Sequence, residues 1–360
     1  MRGRYVPLVM LTLVALAGAA VPSRDALMPR YAHIFVIMEE NKDYGEIVGS
    51  PDAPAITGLA KTYGVATEFY AETHPSEPNY VALVGGYTYG IRDDDAFYCR
   101  PNDARPLCPH AERSGYVNHT IDEPNLATQL ESEHLTWKNY NESLPEPGSL
   151  VVIATDEKAK DVPAALPVYA SKHSGFVNFA SVQNDPNRKT RLVGFDALRQ
   201  DLASGNVPSF SFIIPNLCDE MHGAGDEDGA PEDCSYSHLH KLVWRGDENV
   251  HALVTAIMAS PVWKASSNAA IVITFDEDDH GGKAHCCGAD TNDPANSGGG
   301  HIATIVVTNH GPRGVVDPTP YSHYSLLRTI EDAFGIHEYL RLAGAPGVVP
   351  MTPLFATQSR

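Results

Sequence analysis

Beyond its first 21 residues the chain has no apolar run of the about 20 residues that crossing a bilayer requires, so its body is expected to be soluble. It has no C-x-x-C pair, the spacing that would support a zinc site. Positive charge is scarce: 26 Lys and Arg against 45 Asp and Glu leave a net −19. That balance excludes attachment to nucleic-acid backbone or anionic lipid by bulk charge, and an anionic substrate would need a local cation. Amphipathic basic segments, single-residue tracts and internal repeats are missing, and there are only three Trp. What remains is ordinary globular protein: 360 residues, 43% hydrophobic and 20% charged, long enough to bury a core without relying on disulfides.

The N-terminus carries an address. Arg2 and Arg4 precede an apolar run from Val6 to Leu16, then small residues from Ala17 to Ala20, the three-part pattern of a secretory signal cut after Ala19 or Ala20. A membrane anchor is the alternative, but Tyr5–Val21 is short and interrupted by Pro7. Residues 1–20 therefore read as a signal peptide and 25–360 as a single domain, secreted or periplasmic, with no stable membrane association after cleavage. Losing Arg2 and Arg4 takes the net charge from −19 to −21. The six cysteines fit an oxidising compartment. Cys99 with Cys108 and Cys218 with Cys234 would each close a short loop, while the pairing of Cys286 and Cys287 stays open.

The body alternates strand and helix patterns. His33–Met38, Val65–Tyr70, Ser209–Ile214, Ala269–Phe275 and Ile302–Thr308 are short apolar runs of the kind that form buried strands. Helical patterns over Pro54–Tyr63, Pro124–His134, Gly194–Ser204, Asp247–Ser260 and Tyr324–Phe334 lie between them. The alternation predicts an α/β fold with a central, mostly parallel sheet and helices on both faces. Arg92–His119 and Cys218–Arg245, rich in Pro, Gly, Asp and Cys, read as long structured loops.

Ligands of open α/β sheets bind beyond the carboxyl ends of the strands. Here those ends are rich in oxygen and imidazole: Glu39, Glu40 and Asn41; Thr73 to Asn79; Asn216, Asp219 and His222; Asp276 to His280. Carboxylates and amides gathered from separate strands suit a hard divalent cation, Ca²⁺, Mg²⁺ or Mn²⁺ before Zn²⁺, although extra histidines admit Zn²⁺. Ser76 precedes a helix-compatible stretch, where backbone N–H groups and the helix dipole favour a phosphate. Read alone, Ser76 is an N-cap and Asp276–Asp279 a solvated turn. A Ser-His-Asp hydrolase is disfavoured because no G-x-S-x-G elbow surrounds Ser76. A noncatalytic Ca²⁺-binding exported protein would use the acidic loops but would not need Ser76 or Asn79.

The strings MEENKDYGEIVG (38–49), THPSEPNYVALVGG (73–86), YASKHSGFVNF (169–179), FIIPNLCDEMHG (212–223), ITFDEDD (273–279) and YSHYSLLRTIEDAFG (321–335) resemble the phosphoesterase family of bacterial acid phosphatases and phospholipases C, within the alkaline-phosphatase-like superfamily. The resemblance runs from about His33 to Gly335 and implies a three-layer α/β/α sandwich. It implies that Glu40, Asn41, Asp276 and Glu277 bind metal, that Ser76 is both nucleophile and metal ligand, and that Asn79 binds phosphoryl oxygen. His173 and His222 are implied near the phosphoryl group, with His238 (or His240) and His323 as secondary candidates. Ser174 and Gly175 stand where the family often has Asn-Pro. The implied activity is hydrolysis of small phosphate monoesters through a phosphoserine, with a phospholipase C-type phosphodiesterase as the alternative. The absence of an evident C-terminal β-domain favours the monoesterase.

Overall fold

The computed structural model describes residues 27–265 and 267–357, so the expected signal peptide lies outside the described residues. The strands are β1 (His33–Glu39), β2 (Gly64–Tyr70), β3 (Trp137–Asn141), β4 (Ile153–Thr155), β5 (Pro167–Ala170), β6 (Leu192–Val193), β7 (Phe210–Ile214), β8 (Ala269–Phe275), β9 (His301–Thr308), β10 (Val315–Asp317) and β11 (Tyr321–Ser322). The helices are α1 (Tyr44–Ile47), α2 (Pro54–Thr62), α3 (Glu77–Gly85), α4 (Leu126–Ser132), α5 (Ala180–Gln183), α6 (Arg188–Arg191), α7 (Phe195–Ser204), α8 (Leu239–Ala259), α9 (His323–Phe334) and α10 (Thr352–Phe355).

The main sheet runs β10-β2-β9-β8-β1-β7-β3-β6, with β11 also on β2 and a separate β4-β5 pair. Every pairing in it is parallel except those of β9 with β2 and β8. Because β9 runs backwards, its first residue, His301, stands beside Tyr70 at the carboxyl end of β2. Strands β7 and β8 are buried along their whole length, and β1 in all but His33, as expected of a sheet covered on both faces. Helix α2 packs on α8, and α3 packs on α9 and α4. One apolar cluster reaches from Tyr31 to Phe355 and contains the centres of β1, β7, β8 and β9.

All five expected strands form, and β3, β6 and the short β4, β5, β10 and β11 add to them. Trp137–Asn141 is WKNYN, whose polar residues hide a strand that joins the sheet between β7 and the edge strand β6. Helix α8 begins at Leu239 rather than near Asp247, inside a segment that reads as loop. Gly246 resembles a helix breaker, yet a Cβ there would stand 2.3 Å from Met221 Cγ, so the glycine is what lets α8 approach the loop carrying His222. The neighbouring Asp247 carboxylate accepts the N–H groups of Ala55 (2.9 Å) and Ile56 (2.8 Å), capping α2 from another helix.

Disulfides join Cys99 to Cys108, Cys218 to Cys234 and Cys286 to its neighbour Cys287. The first two close loops of 9 and 16 residues, worth roughly 3 kcal/mol each by chain entropy. Reduction should therefore lower the melting temperature of the native protein by about 5–10 °C. Scanning calorimetry with and without a dithiol reductant checks this, and an unchanged melting point in fully reduced protein would contradict it.

Candidate active site

Strands β1 and β8 lie side by side and end together, which places Glu40 and Asn41 against Asp276 and Glu277. Asn41 adopts a positive φ of 44°, a conformation Asn tolerates better than most side chains. In that turn its backbone N–H donates to Asp276 Oδ1 and its amide to Glu277 Oε1, both at 3.0 Å. The N–H of Glu40 donates to the carbonyl of Glu220 at 2.7 Å, drawing in the loop after β7.

Ser76 occupies the N-cap position of α3, yet its side chain makes no capping hydrogen bond. Its hydroxyl donates instead to Glu40 Oε2 at 3.0 Å and is almost fully buried. A serine serving only as a cap would accept from the N–H groups of the first turn. Asn79 is placed differently from the implied phosphoryl role. Its Oδ1 accepts the N–H groups of Glu72 and Thr73, each at 3.1 Å, and its amide donates to the carbonyls of Thr73 (2.8 Å) and Pro75 (3.3 Å). Both ends of the carboxamide are committed to the turn that presents Ser76, so Asn79 positions the serine.

His173 lies in a single 3-10 turn, Ser171–His173, with Tyr80 stacked on its ring at 5.3 Å between centroids. Its Nδ1 is 2.7 Å from Glu220 Oε1, which leaves Nε2 facing Glu40 Oε1 at 3.2 Å without hydrogen-bond alignment. The His222 ring lies 5.4 Å from it, and His222 Nδ1 donates to the carbonyl of Gly223 at 2.8 Å. Burial, reinforced by the charge of Lys172, pushes both imidazoles down, His173 well below the usual range and His222 to about 4. Both shifts favour the neutral imidazole, and His173 Nε2 makes no hydrogen bond. Ligand atoms of Glu40, His173 and His222 all lie within 4.8 Å of one another.

Several acceptors converge here without a donor. Glu40 Oε1, Asn41 Oδ1, Asp276 Oδ2 and His173 Nε2 are buried and make no hydrogen bond, an arrangement too costly to leave uncompensated. Burial and mutual repulsion push the carboxyl of Glu40 well up, and burial raises that of Asp276 and takes Glu277 to about 8. A divalent cation would reverse both penalties, and the donor set, carboxylate, amide oxygen and imidazole, fits one.

The remaining expected residues separate. His323 is buried, but its Nδ1 pairs with Glu72 and its Nε2 with the carbonyl of Phe275 at 2.8 Å. It fastens the start of α9 to the ends of β2 and β8 and has no ring nitrogen left for a ligand. His238 is exposed at the N-cap of α8, outside the Glu40–His173–His222 group, and His240 pairs with Asp52. Residues given no role from the sequence also stand at the site. Glu220 orients His173, and His74 Nδ1 lies 2.7 Å from Glu277 Oε2. Lys172 donates to Asp94 Oδ2 at 2.8 Å. Burial works against the Lys172 ammonium, but Asp94 and Glu40 outweigh it and hold its affinity for the proton above the ordinary range. Each of these residues neighbours a recognised motif residue, the one signal that could have found it.

The Phosphoesterase family model matches residues 50–337. The chain is 29% identical over 340 residues to a phosphatidylinositol-3-phosphatase of Mycobacterium tuberculosis, covering 94% of this chain and 89% of that protein. It is 24% identical over 309 residues to an acid phosphatase of Aspergillus fumigatus, covering 85% of this chain but 55% of that protein, about half its length. Among solved structures it matches lipoteichoic acid synthase LtaP of Listeria monocytogenes with a TM-score of 0.52 at 11% identity, over 94% of this chain and 80% of that one. A protein of the alkaline phosphatase superfamily from Vibrio parahaemolyticus matches with a TM-score of 0.51 at 12% identity, over 86% and 67%. The three-layer α/β/α fold is shared with these structures.

Proposed function

Because the chain belongs to the Phosphoesterase family, hydrolases of phosphoric ester bonds, we propose that it is an exported, metal-dependent phosphomonoesterase that works through a phosphoserine on Ser76. The observation that carries this reading is the Ser76 hydroxyl, buried at the start of α3 and bonded to Glu40 instead of capping its helix. Glu40, Asn41, Asp276 and Glu277, with His173 and His222 beside them, would hold a divalent cation. Such an ion supplies Lewis-acid polarisation of a phosphoryl oxygen and makes the serine hydroxyl more acidic.

The residues of this chain then divide the work. Ser76 Oγ attacks phosphorus as its proton passes to Glu40 Oε2, its hydrogen-bond acceptor. The bond from phosphorus to the ester oxygen breaks, and the alkoxide takes a proton from solvent. In the second half water attacks the phosphoserine, His222 Nε2 accepts a proton from that water and returns it to solvent, and the Ser76 oxygen recovers its proton from Glu40 as its bond to phosphorus breaks. His173, held by Glu220 and Tyr80, keeps Glu40 in place. Ser76 stands at the N-terminal end of α3, where the helix dipole favours the developing negative charge.

Export is supported by the leader pattern of residues 1–20 and by the paired cysteines. Among the described residues no helix is long and apolar enough to cross a membrane. The choice of monoester over phosphodiester cleavage rests on the relatives' names, which are those of phosphatases, one of them a phosphatidylinositol-3-phosphatase, and the preference for a soluble ester over a phosphatidylcholine bilayer rests on the chain's net negative charge. Purified protein should hydrolyse p-nitrophenyl phosphate, lose that activity to a chelator and regain it with added divalent metal. Its specificity constant on phosphatidylcholine vesicles, at matched metal and pH, should be lower. Chelator-insensitive turnover would remove the metal, and a higher constant on vesicles would make phospholipase C the reading.

A further inference from the structure

Glu40, Glu220, Asp276 and Glu277 are all buried in this site. A phosphoryl dianion entering it needs positive charge beyond that of one divalent ion. Two lysines stand close. Lys42 is almost fully buried and donates to the carbonyl of its neighbour Asn41 at 2.7 Å. Lys172 keeps 22% of its side chain exposed, immediately precedes His173 in the same short turn, and donates to Asp94 Oδ2. The other oxygen of Asp94 accepts the backbone N–H of Glu77, the residue after Ser76, at 3.0 Å. A single carboxylate thus ties the lysine to the first turn of the serine's helix.

Asp94 is itself held firmly. On one side of it Asp93 lies 3.3 Å from the buried His119, whose other nitrogen is 3.0 Å from Glu77 Oε1. On the other side Asp95 takes His110 at 2.7 Å and the hydroxyl of Tyr116 at 3.0 Å, joining the two segments that flank the loop closed by the Cys99–Cys108 bridge. Asp93 and Asp95 face histidines, and Asp94 between them faces the lysine. The charge of Lys172 is felt at Glu40, Asp276, Glu220, His173 and His222.

We propose that Lys172 is a further catalytic residue, the cation that holds a non-bridging oxygen of the transferring phosphoryl group, and that Asp94 is the positioning residue that aims it. The inference rests on the phosphoesterase reading above. Ammonium groups placed where charge develops lower a barrier because they need no reorganisation as the reaction proceeds. A lysine that only balances the buried carboxylates would act on metal and stability instead.

The test compares wild type, Ser76→Ala, Lys172→Met, Lys172→Arg and Asp94→Asn as full-length proteins. It measures p-nitrophenyl phosphate kinetics, orthovanadate affinity by calorimetry, and metal content. Lys172→Met should lose roughly 100-fold in kcat and bind vanadate at least about 10-fold more weakly, with metal content unchanged. Lys172→Arg should recover part of both losses, and Asp94→Asn should fall between wild type and Lys172→Met. Vanadate affinity and kcat/KM within about threefold of wild type in metal-replete Lys172→Met would overturn the proposal, that being far below the loss of one charged donor. So would a loss cured by excess metal, which makes the lysine a charge balancer. If wild type binds vanadate but hydrolyses no ester, or Ser76→Ala stays active, the phosphoserine reading fails while vanadate affinity still judges Lys172.

Discussion

A Ser76→Ala protein should fold, bind metal and hydrolyse p-nitrophenyl phosphate at least about 10⁴-fold more slowly than wild type, the scale expected when a nucleophile is removed and only binding and electrostatics remain. The fold should survive because Ser76 makes no capping hydrogen bond that α3 would lose, and its turn is held by the Asn79 carboxamide. The stability cost should be about 1–2 kcal/mol, from the Glu40 oxygen left without its donor. Acid-quenched wild type should carry the added mass of one phosphoryl group on the peptide containing Ser76, and the alanine variant none. Near-wild-type turnover in a folded Ser76→Ala protein, or a phosphoryl group on another residue, would remove Ser76 as the nucleophile.

Neutralising a metal-facing carboxylate should produce two effects of opposite sign. Asp276→Asn or Glu40→Gln removes an anionic donor from the proposed cation site, so metal affinity should fall by about 10–100-fold and activity with it. In metal-free protein the same change should leave the melting temperature unchanged or raise it. The reason is that Glu40, Asp276 and Glu220 are buried together and repel one another. The stabilisation that added metal gives wild type, which grows as ligand concentration exceeds the dissociation constant, should shrink in both variants. Metal analysis after gel filtration, with melting curves in chelator and in metal, decides the matter. Stoichiometric metal in both variants would place the site elsewhere, and a large loss of stability without metal would make these carboxylates structural.

Much of the site could be read from order along the chain because its residues stand directly after apolar strands. Glu40 and Asn41 come after β1, and Asp276 and Glu277 after β8. Once those two runs are seen to be buried neighbours, their trailing oxygens must meet. The covered sheet was equally legible, since β1, β7, β8 and β9 are continuous apolar runs of a length strands adopt. The parts that escaped had weak local signals: β3 is polar in sequence, and the first turns of α8 contain a glycine whose purpose is visible only against Met221.

The sequence by itself determined the α/β class and the residue types at the strand ends, because periodicity and chain order report which segments are buried and which side chains stand at their ends, while the family was carried by the resemblance of its motifs. Only the tertiary structure decided what each polar atom faces. It turned the Ser76 hydroxyl toward Glu40, committed Asn79 to the turn and His323 to Glu72, paired Cys286 with Cys287, and gave His173 the partner Glu220. It also joined Lys172 to Asp94, 78 residues away in sequence. The direction of a buried hydroxyl, amide or ammonium is set by whichever partner packing brings within about 3 Å, and that partner is fixed by the crossing of distant segments, not by local pattern.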